Sequence, residues 1–175
     1  MATTKLLQFK EITTFIFDID GVLTDGTVLL LENGLQARTM NIKDGYALQL
    51  AVKKGYKVLA VSGADSALAA GRLNKLGITD VHLSVTDKKK FITTFIAANN
   101  LKKEEILYMG DDMPDLPAMS VVGLPTCPSD AVPEIKEAAG YISSFSGGMG
   151  CVRDVIEKVL KLNDHWNDNP GIASK

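Results

Sequence analysis

Cysteine is scarce in this chain, with two residues, Cys127 and Cys151, among 175. They form no CxxC or other metal-ligand spacing, so the sequence offers neither a zinc motif nor a disulfide framework. They read as reduced thiols in a cytoplasmic protein. Histidine is as rare, and His82 and His165 stand far apart, as structural or exposed residues rather than ligands. Charge of one sign is missing too: the net charge of -2 gives no electrostatic case for nucleic acid or a membrane surface. No aromatic-basic stripe suggests nucleic acid either. No apolar run approaches the ~20 residues that span a bilayer. The first residues lack the pattern of a signal peptide. What remains is an ordinary globular composition, 46% hydrophobic and 23% charged. There is no repeat, low-complexity stretch or linker, so residues 1–175 read as one domain. Its core would span about 13–162, and a polar tail with Gly and Pro would follow at 163–175.

Strand and helix patterns alternate almost throughout, which predicts an α/β fold. The expected architecture is a doubly wound, Rossmann-like parallel sheet flanked by helices. Buried strands are expected at 14–18, 57–61, 81–83, 106–109 and 121–124. Helices are expected at 44–54, 66–76, 88–99, 131–139 and 152–162. Two β-rich runs, 27–31 and 37–42, flank Asn33-Gly34 and predict a small hairpin.

The first strand runs into Asp18-Ile19-Asp20-Gly21. In an open α/β sheet, ligands bind beyond the carboxyl ends of the strands. Two carboxylates there repel unless a cation or a proton joins them. Three further groups follow predicted strands: Ser62-Gly63, Asp87-Lys88 and Asp111-Asp112. Collected on one edge, they would suit phosphoryl transfer. A divalent cation and a lysine offset the repulsion between carboxylate and phosphate, and a hydroxyl can hold phosphate oxygens. Each signal has a bland reading. DxD is commonly a turn or cap, Ser-Gly a turn, Asp87 a plain N-cap and Lys88-Lys89-Lys90 a solvated face. Their order and shared position at strand ends argue for the site.

These residues carry a resemblance. From about 13 to 162 the chain resembles the haloacid dehalogenase-like phosphatases. Their four motifs occur in order: FDIDGVLTDG from Phe17, VSG from Val61, Lys88, and GDDMPD from Gly110. Within that superfamily it is most similar to the 3-deoxy-D-manno-octulosonate 8-phosphate phosphatases. The supporting stretches are NIKDG at 41–45, Arg72, 108–115 and the Gly-rich run from Gly147 to Gly150 followed by Val152-Arg153-Asp154. The resemblance implies Asp18 as nucleophile and Asp20 as general acid and base. It implies Mg²⁺ held by Asp18, the main-chain carbonyl of Asp20, and Asp111. Ser62 and Gly63 would contact the phosphoryl group, and Lys88 would neutralise it. Asp112 and Asp115 would orient metal waters or Lys88. Arg72 would bind the substrate, a role that competes with that of a surface helix arginine. Asp20 favours ester hydrolysis over dehalogenation, since a halide leaves without a proton.

The gaps between motifs leave room for the hairpin but for no cap domain. An open site needs a lid, and the resemblance implies a homotetramer whose hairpins associate, consistent with Leu29-Leu30-Leu31. The expected substrate is a phosphorylated keto-sugar acid, in lipopolysaccharide-type glycan biosynthesis. Ala64 and Ala67 depart from the family, which usually has a large charged residue after the second-motif Gly. A nine-carbon keto-acid phosphate or another small phosphometabolite therefore stays open. A non-catalytic binding module is the alternative from a different class, and the intact acidic cluster argues against it.

Overall fold

A computed structural model describes the backbone of residues 2–166 and the side chains of residues 7–166. A helix, α1 (Ala2–Glu11), precedes the first strand, β1 (Thr14–Asp18). A hairpin of β2 (Leu29–Leu30) and β3 (Gln36–Ala37) leads to α2 (Ile42–Lys53) and β4 (Lys57–Val61). Then come α3 (Ala67–Lys75), β5 (Asp80–His82), α4 (Lys88–Ala98) and β6 (Ile106–Met109). The chain ends through α5 (Leu116–Met119), β7 (Leu124–Cys127), α6 (Pro133–Ala138), β8 (Tyr141–Ile142) and α7 (Cys151–Leu162).

Six strands form one parallel sheet in the order β5-β4-β1-β6-β7-β8. The chain winds outward from β1 in one direction and then in the other, as a doubly wound fold does. Alternation along each strand builds two cores. Phe15, Phe17, Val58, Ala60, Leu107 and Met109 face α2, α3 and α7. Ile16, Leu59, Val61, Ile106 and Tyr108 face α4, α5 and α6. A strand covered on both faces is apolar without interruption, which is why β1 and β4 read as continuous runs. Among the described residues, no helix is long and apolar enough to cross a membrane.

Three sequence expectations are corrected. Residues 121–124 were expected to be a strand, but the strand is β7, three residues later. Val122 is buried at the turn after α5, and Gly123 N–H donates to the Lys103 carbonyl at 2.6 Å. Its run is apolar because it fills the core, while Pro125 sits inside the real strand. The hairpin is shorter than its two β-rich runs, pairing only Leu29 with Ala37 and Leu30 with Gln36, and Ile42 already begins α2. Packing also extends beyond 13–162: Phe9 and Ile12 are buried, and Trp166 stacks edge-on against Tyr46. The short elements α5 and β8 carry too few residues to show a period, and α1 was not anticipated.

Candidate active site

Strands β1 and β4 lie side by side with Asp18 opposite Val61, and β6 flanks β1 on its other side. Their carboxyl ends therefore share one edge, at the place where the winding reverses. Asp18 ends β1, Ser62 follows β4, Asp111 follows β6 and Lys88 opens α4. A cavity of ≈ 680 Å³ opens there, and Asp18, Asp20, Ser62, Lys88 and Asp111 line it.

Asp18 is buried, accepting from Ile19 N–H at 2.8 Å and pairing with Lys88 Nζ at 2.9 Å. Lys88 Nζ also reaches Asp115 Oδ1 at 2.6 Å. Asp115 has no free capacity. Its Oδ1 also accepts from Tyr108 Oη at 2.5 Å, and its Oδ2 accepts from the Asp111 and Asp112 N–H groups at 3.0 and 3.4 Å. Asp115 thus fixes Lys88, and Tyr108 fixes Asp115. Lys89 and Lys90 are exposed, and Asp87 caps α4 through Lys90 N–H at 2.9 Å.

The loop after Asp18 is a tight turn, Ile19–Leu23, with Gly21 at φ +84. Thr24 Oγ1 closes it, donating to the Ile19 carbonyl at 3.1 Å and accepting from Gly21 N–H at 3.2 Å. A Cβ at Gly21 would lie 2.0 Å from Asp111 Oδ2, so only glycine lets that carboxylate cross the loop. The Gly-rich run presses on the same loop from behind. A Cβ at Gly147 would stand 1.9 Å from the Gly21 carbonyl oxygen, and Gly148 N–H donates to the Val22 carbonyl at 2.9 Å. The NIKDG stretch holds that run in turn. Asn41 Nδ2 donates to the Gly148 carbonyl at 3.3 Å, and Asp44 Oδ1 accepts from Arg153 N–H at 2.7 Å, capping α7.

The electrostatics favour a cation. Burial pushes Asp18 up to about 8, the Asp115 carboxylate adds to this, and Lys88 opposes it. Burial likewise lifts Asp111 to about 7, helped by Asp115 and Asp112. Burial works against the charge on Lys88, but Asp18 and Asp115 outweigh it and hold the ammonium above its usual range. One lysine does not balance three carboxylates. Asp18, Asp111 and Asp115 each present an oxygen within 4.8 Å of the others, and Asp111 Oδ1 is buried without a hydrogen-bond partner. Since Asp115 is saturated, Asp18 and Asp111 are the pair left to hold an ion. Their hard oxygen donors suit a divalent cation such as Mg²⁺.

Most expected site residues converge. Asp18, Asp20, Ser62, Gly63, Lys88, Asp111, Asp112 and Asp115 all border the one cavity. Ser62 Oγ accepts from Ala64 N–H at 3.0 Å and lies 3.4 Å from Asp20 Oδ2. Asp112 is exposed and caps the short turn at Met113–Asp115 through Met113 N–H at 2.8 Å. Arg72 is not brought into this cavity. It is half-buried against Gly45 and lines a second cavity of ≈ 260 Å³ between β3 and α3. Sequence reasoning missed Arg38, whose Nε forms an ion pair with Asp20 Oδ1. Tyr108 stood only as the first residue of the 108–115 stretch, with no role for the hydroxyl that donates to Asp115.

Residues 74–150 match the model of the haloacid dehalogenase-like hydrolases. The chain is similar to the 3-deoxy-D-manno-octulosonate 8-phosphate phosphatase of Yersinia pestis, 31% identical over 93% of this chain and 87% of that protein. The Escherichia coli K12 phosphatase of the same name is 32% identical over 95% and 88%. A Moraxella catarrhalis phosphatase solved with magnesium ion, phosphate ion and KDO superposes with a TM-score of 0.90 at 27% identity, over 94% and 95%. The chain belongs to the haloacid dehalogenase-like hydrolases. Within them its place is the family of 3-deoxy-D-manno-octulosonate 8-phosphate phosphatases.

Proposed function

We propose that this protein is a Mg²⁺-dependent phosphatase acting on a phosphorylated keto-sugar acid of the 3-deoxy-D-manno-octulosonate 8-phosphate type. The observation that carries the reading is Asp18, a buried carboxylate at the cavity floor, paired with Lys88 and facing Asp111. Asp18 attacks phosphorus and forms an aspartyl-phosphate as the ester oxygen leaves. Asp20 gives that oxygen a proton, then takes one from the water that hydrolyses the intermediate. Ser62 Oγ and Gly63 N–H hold the phosphoryl oxygens, and Lys88, aimed by Asp115, neutralises the transferring group. Asp18, Asp111 and the Asp20 main-chain carbonyl would hold Mg²⁺. When bound, that ion offsets the repulsion between carboxylate and phosphate dianion. Asp112 stands at the rim, where it can orient the ion's waters.

A second subunit serves as the lid. Leu29, Leu30, Leu31 and Leu35 are all exposed on the hairpin beside the site, and apolar surface of that kind supports a homotetramer built on hairpin contacts. The reading would place the enzyme in the cytoplasm, in lipopolysaccharide-type glycan biosynthesis. A second substrate reading rests on Ala64, which lines the cavity with a methyl group where the resemblance leads one to expect a charged side chain. It favours a nine-carbon keto-acid phosphate or another small phosphate ester. The test is phosphate release across a panel of monoesters that includes both keto-acid phosphates, with Mg²⁺ and with EDTA. Strong preference for the eight-carbon ester, abolished by EDTA, is the expected result. Preference for the nine-carbon ester selects the second reading, and equal rates on unrelated esters reject both.

A further inference from the structure

The hairpin is largely exposed and carries Leu29, Leu30, Leu31 and Leu35 on its surface, but Arg38, the residue just beyond β3, is tucked in. The Arg38 side chain is only 9% exposed, and its Nε pairs with Oδ1 of Asp20. The other oxygen, Oδ2, faces Ser62 Oγ at 3.4 Å. Lys88 makes its ion pairs with Asp18 and Asp115 instead, so the two cations serve different carboxylates.

A carboxyl group has two oxygens, and its chemistry depends on which of them is free. A guanidinium donates and never accepts, so an oxygen held by Arg38 is kept as an acceptor. A proton on Asp20 then resides on Oδ2, the oxygen turned toward Ser62 and the phosphoryl position. We propose that Arg38 is the positioning residue of the acid/base group: it pins Oδ1 and so directs all proton transfer through Oδ2. This rests on the reading of Asp20 given above. In the first step the Asp18–phosphorus bond forms, the ester P–O bond breaks and the Oδ2 proton passes to the departing oxygen. In the second, a water oxygen bonds to phosphorus, the Asp18–phosphorus bond breaks and the water's proton returns to Oδ2. Arg38 touches no reacting atom in either step. It also ties the hairpin to the chemistry, because β3 sets where the guanidinium stands.

Leaving-group dependence tests this. A good leaving group departs without a proton, while a poor one needs it. We would measure kcat/KM for a series of substituted phenyl phosphates, from 4-nitrophenyl to unsubstituted phenyl, which carry no sugar. kcat/KM ends at ester cleavage and does not include hydrolysis of the intermediate. The variants are Arg38→Met, which keeps the aliphatic stem, Arg38→Lys, Asp20→Asn, and Arg38→Met combined with Asp20→Asn. Loss of folded protein scales every ester alike and leaves the slope against leaving-group basicity unchanged. Arg38→Met is expected to steepen that slope, losing about 10–100-fold on phenyl phosphate and under about threefold on 4-nitrophenyl phosphate, as for a misaligned proton donor. Arg38→Lys should fall between, and the double variant should match Asp20→Asn alone. A wild-type slope in Arg38→Met, with Asp20→Asn steepened, overturns the role of Arg38 and leaves the mechanism standing. A wild-type slope in Asp20→Asn overturns the acid/base reading and this inference together. Preference among sugar-acid phosphates affects neither result.

Discussion

A buried carboxylate beside a buried lysine is tolerated because each neutralises the other, and removing one strands its partner. Asp18→Asn keeps the shape of the site and removes the carboxylate proposed as its nucleophile. Phosphate release should fall by about 10⁴-fold or more, while circular dichroism stays that of the parent protein. Asp44 behaves differently, being buried with one oxygen capping α7 and Oδ2 unpartnered. Burial raises it from 3.8 to about 6, against the Arg153 and Gly150 N–H groups and the Arg153 charge. Between those two values the folded protein keeps a proton that the unfolded chain has released. Stability therefore falls as pH rises from about 4 to about 6, and the loss persists above. Asp44→Asn keeps an acceptor for the cap and has no charge to bury. Denaturant unfolding at pH 8 should find it more stable, by up to the order of 3 kcal/mol, with the gain vanishing near pH 4. Asp18, Asp20 and Asp111 were legible in the sequence because they fall at or just after the ends of buried strands, in order with the other motifs. Arg38 was not, since an arginine beside a hairpin looks like any solvated one until the fold turns it onto Asp20. Arg72 lines the neighbouring cavity rather than the one at the strand ends, a placement that its position on a helix did not reveal.

Among the elements, the two-residue pairing of β2 with β3 is too short to be stable by itself. Leu30 is 73% exposed and Leu29 63%, so the hairpin lacks a core of its own. If hairpins from neighbouring subunits cover each other, Leu29→Glu combined with Leu30→Glu should dissociate the assembly. Sedimentation velocity would then find the double variant as monomer and the parent protein as tetramer. The parallel sheet, though not its strand order, followed from the sequence because strands buried on both faces leave unbroken apolar runs. The same criterion misplaced β7, since Val121 and Val122 are apolar for packing after a turn, and Pro125 hides the true strand. Periodicity needs length, and elements of two to four residues, such as β8 and α5, do not supply it.

For the whole molecule, repulsion among Asp18, Asp111 and Asp115 is a standing cost that a bound cation removes. Mg²⁺ at about 100 times its dissociation constant should add about 2.7 kcal/mol to unfolding, read as a rise in Tm. Asp111→Asn should abolish most of that rise. An unchanged Tm across Mg²⁺ concentrations in the parent protein would count against an ion at this site. The molecule is also joined end to start at its most sensitive point. Residues 14–24 are made early, yet the turn that follows Asp18 leans on Gly147 and Gly148. On the ribosome, then, that loop emerges long before its buttress, and a nascent chain can pair its central strands before the site is complete. Activity would begin as a late event of synthesis, gated by the arrival of two residues that carry no side chain at all.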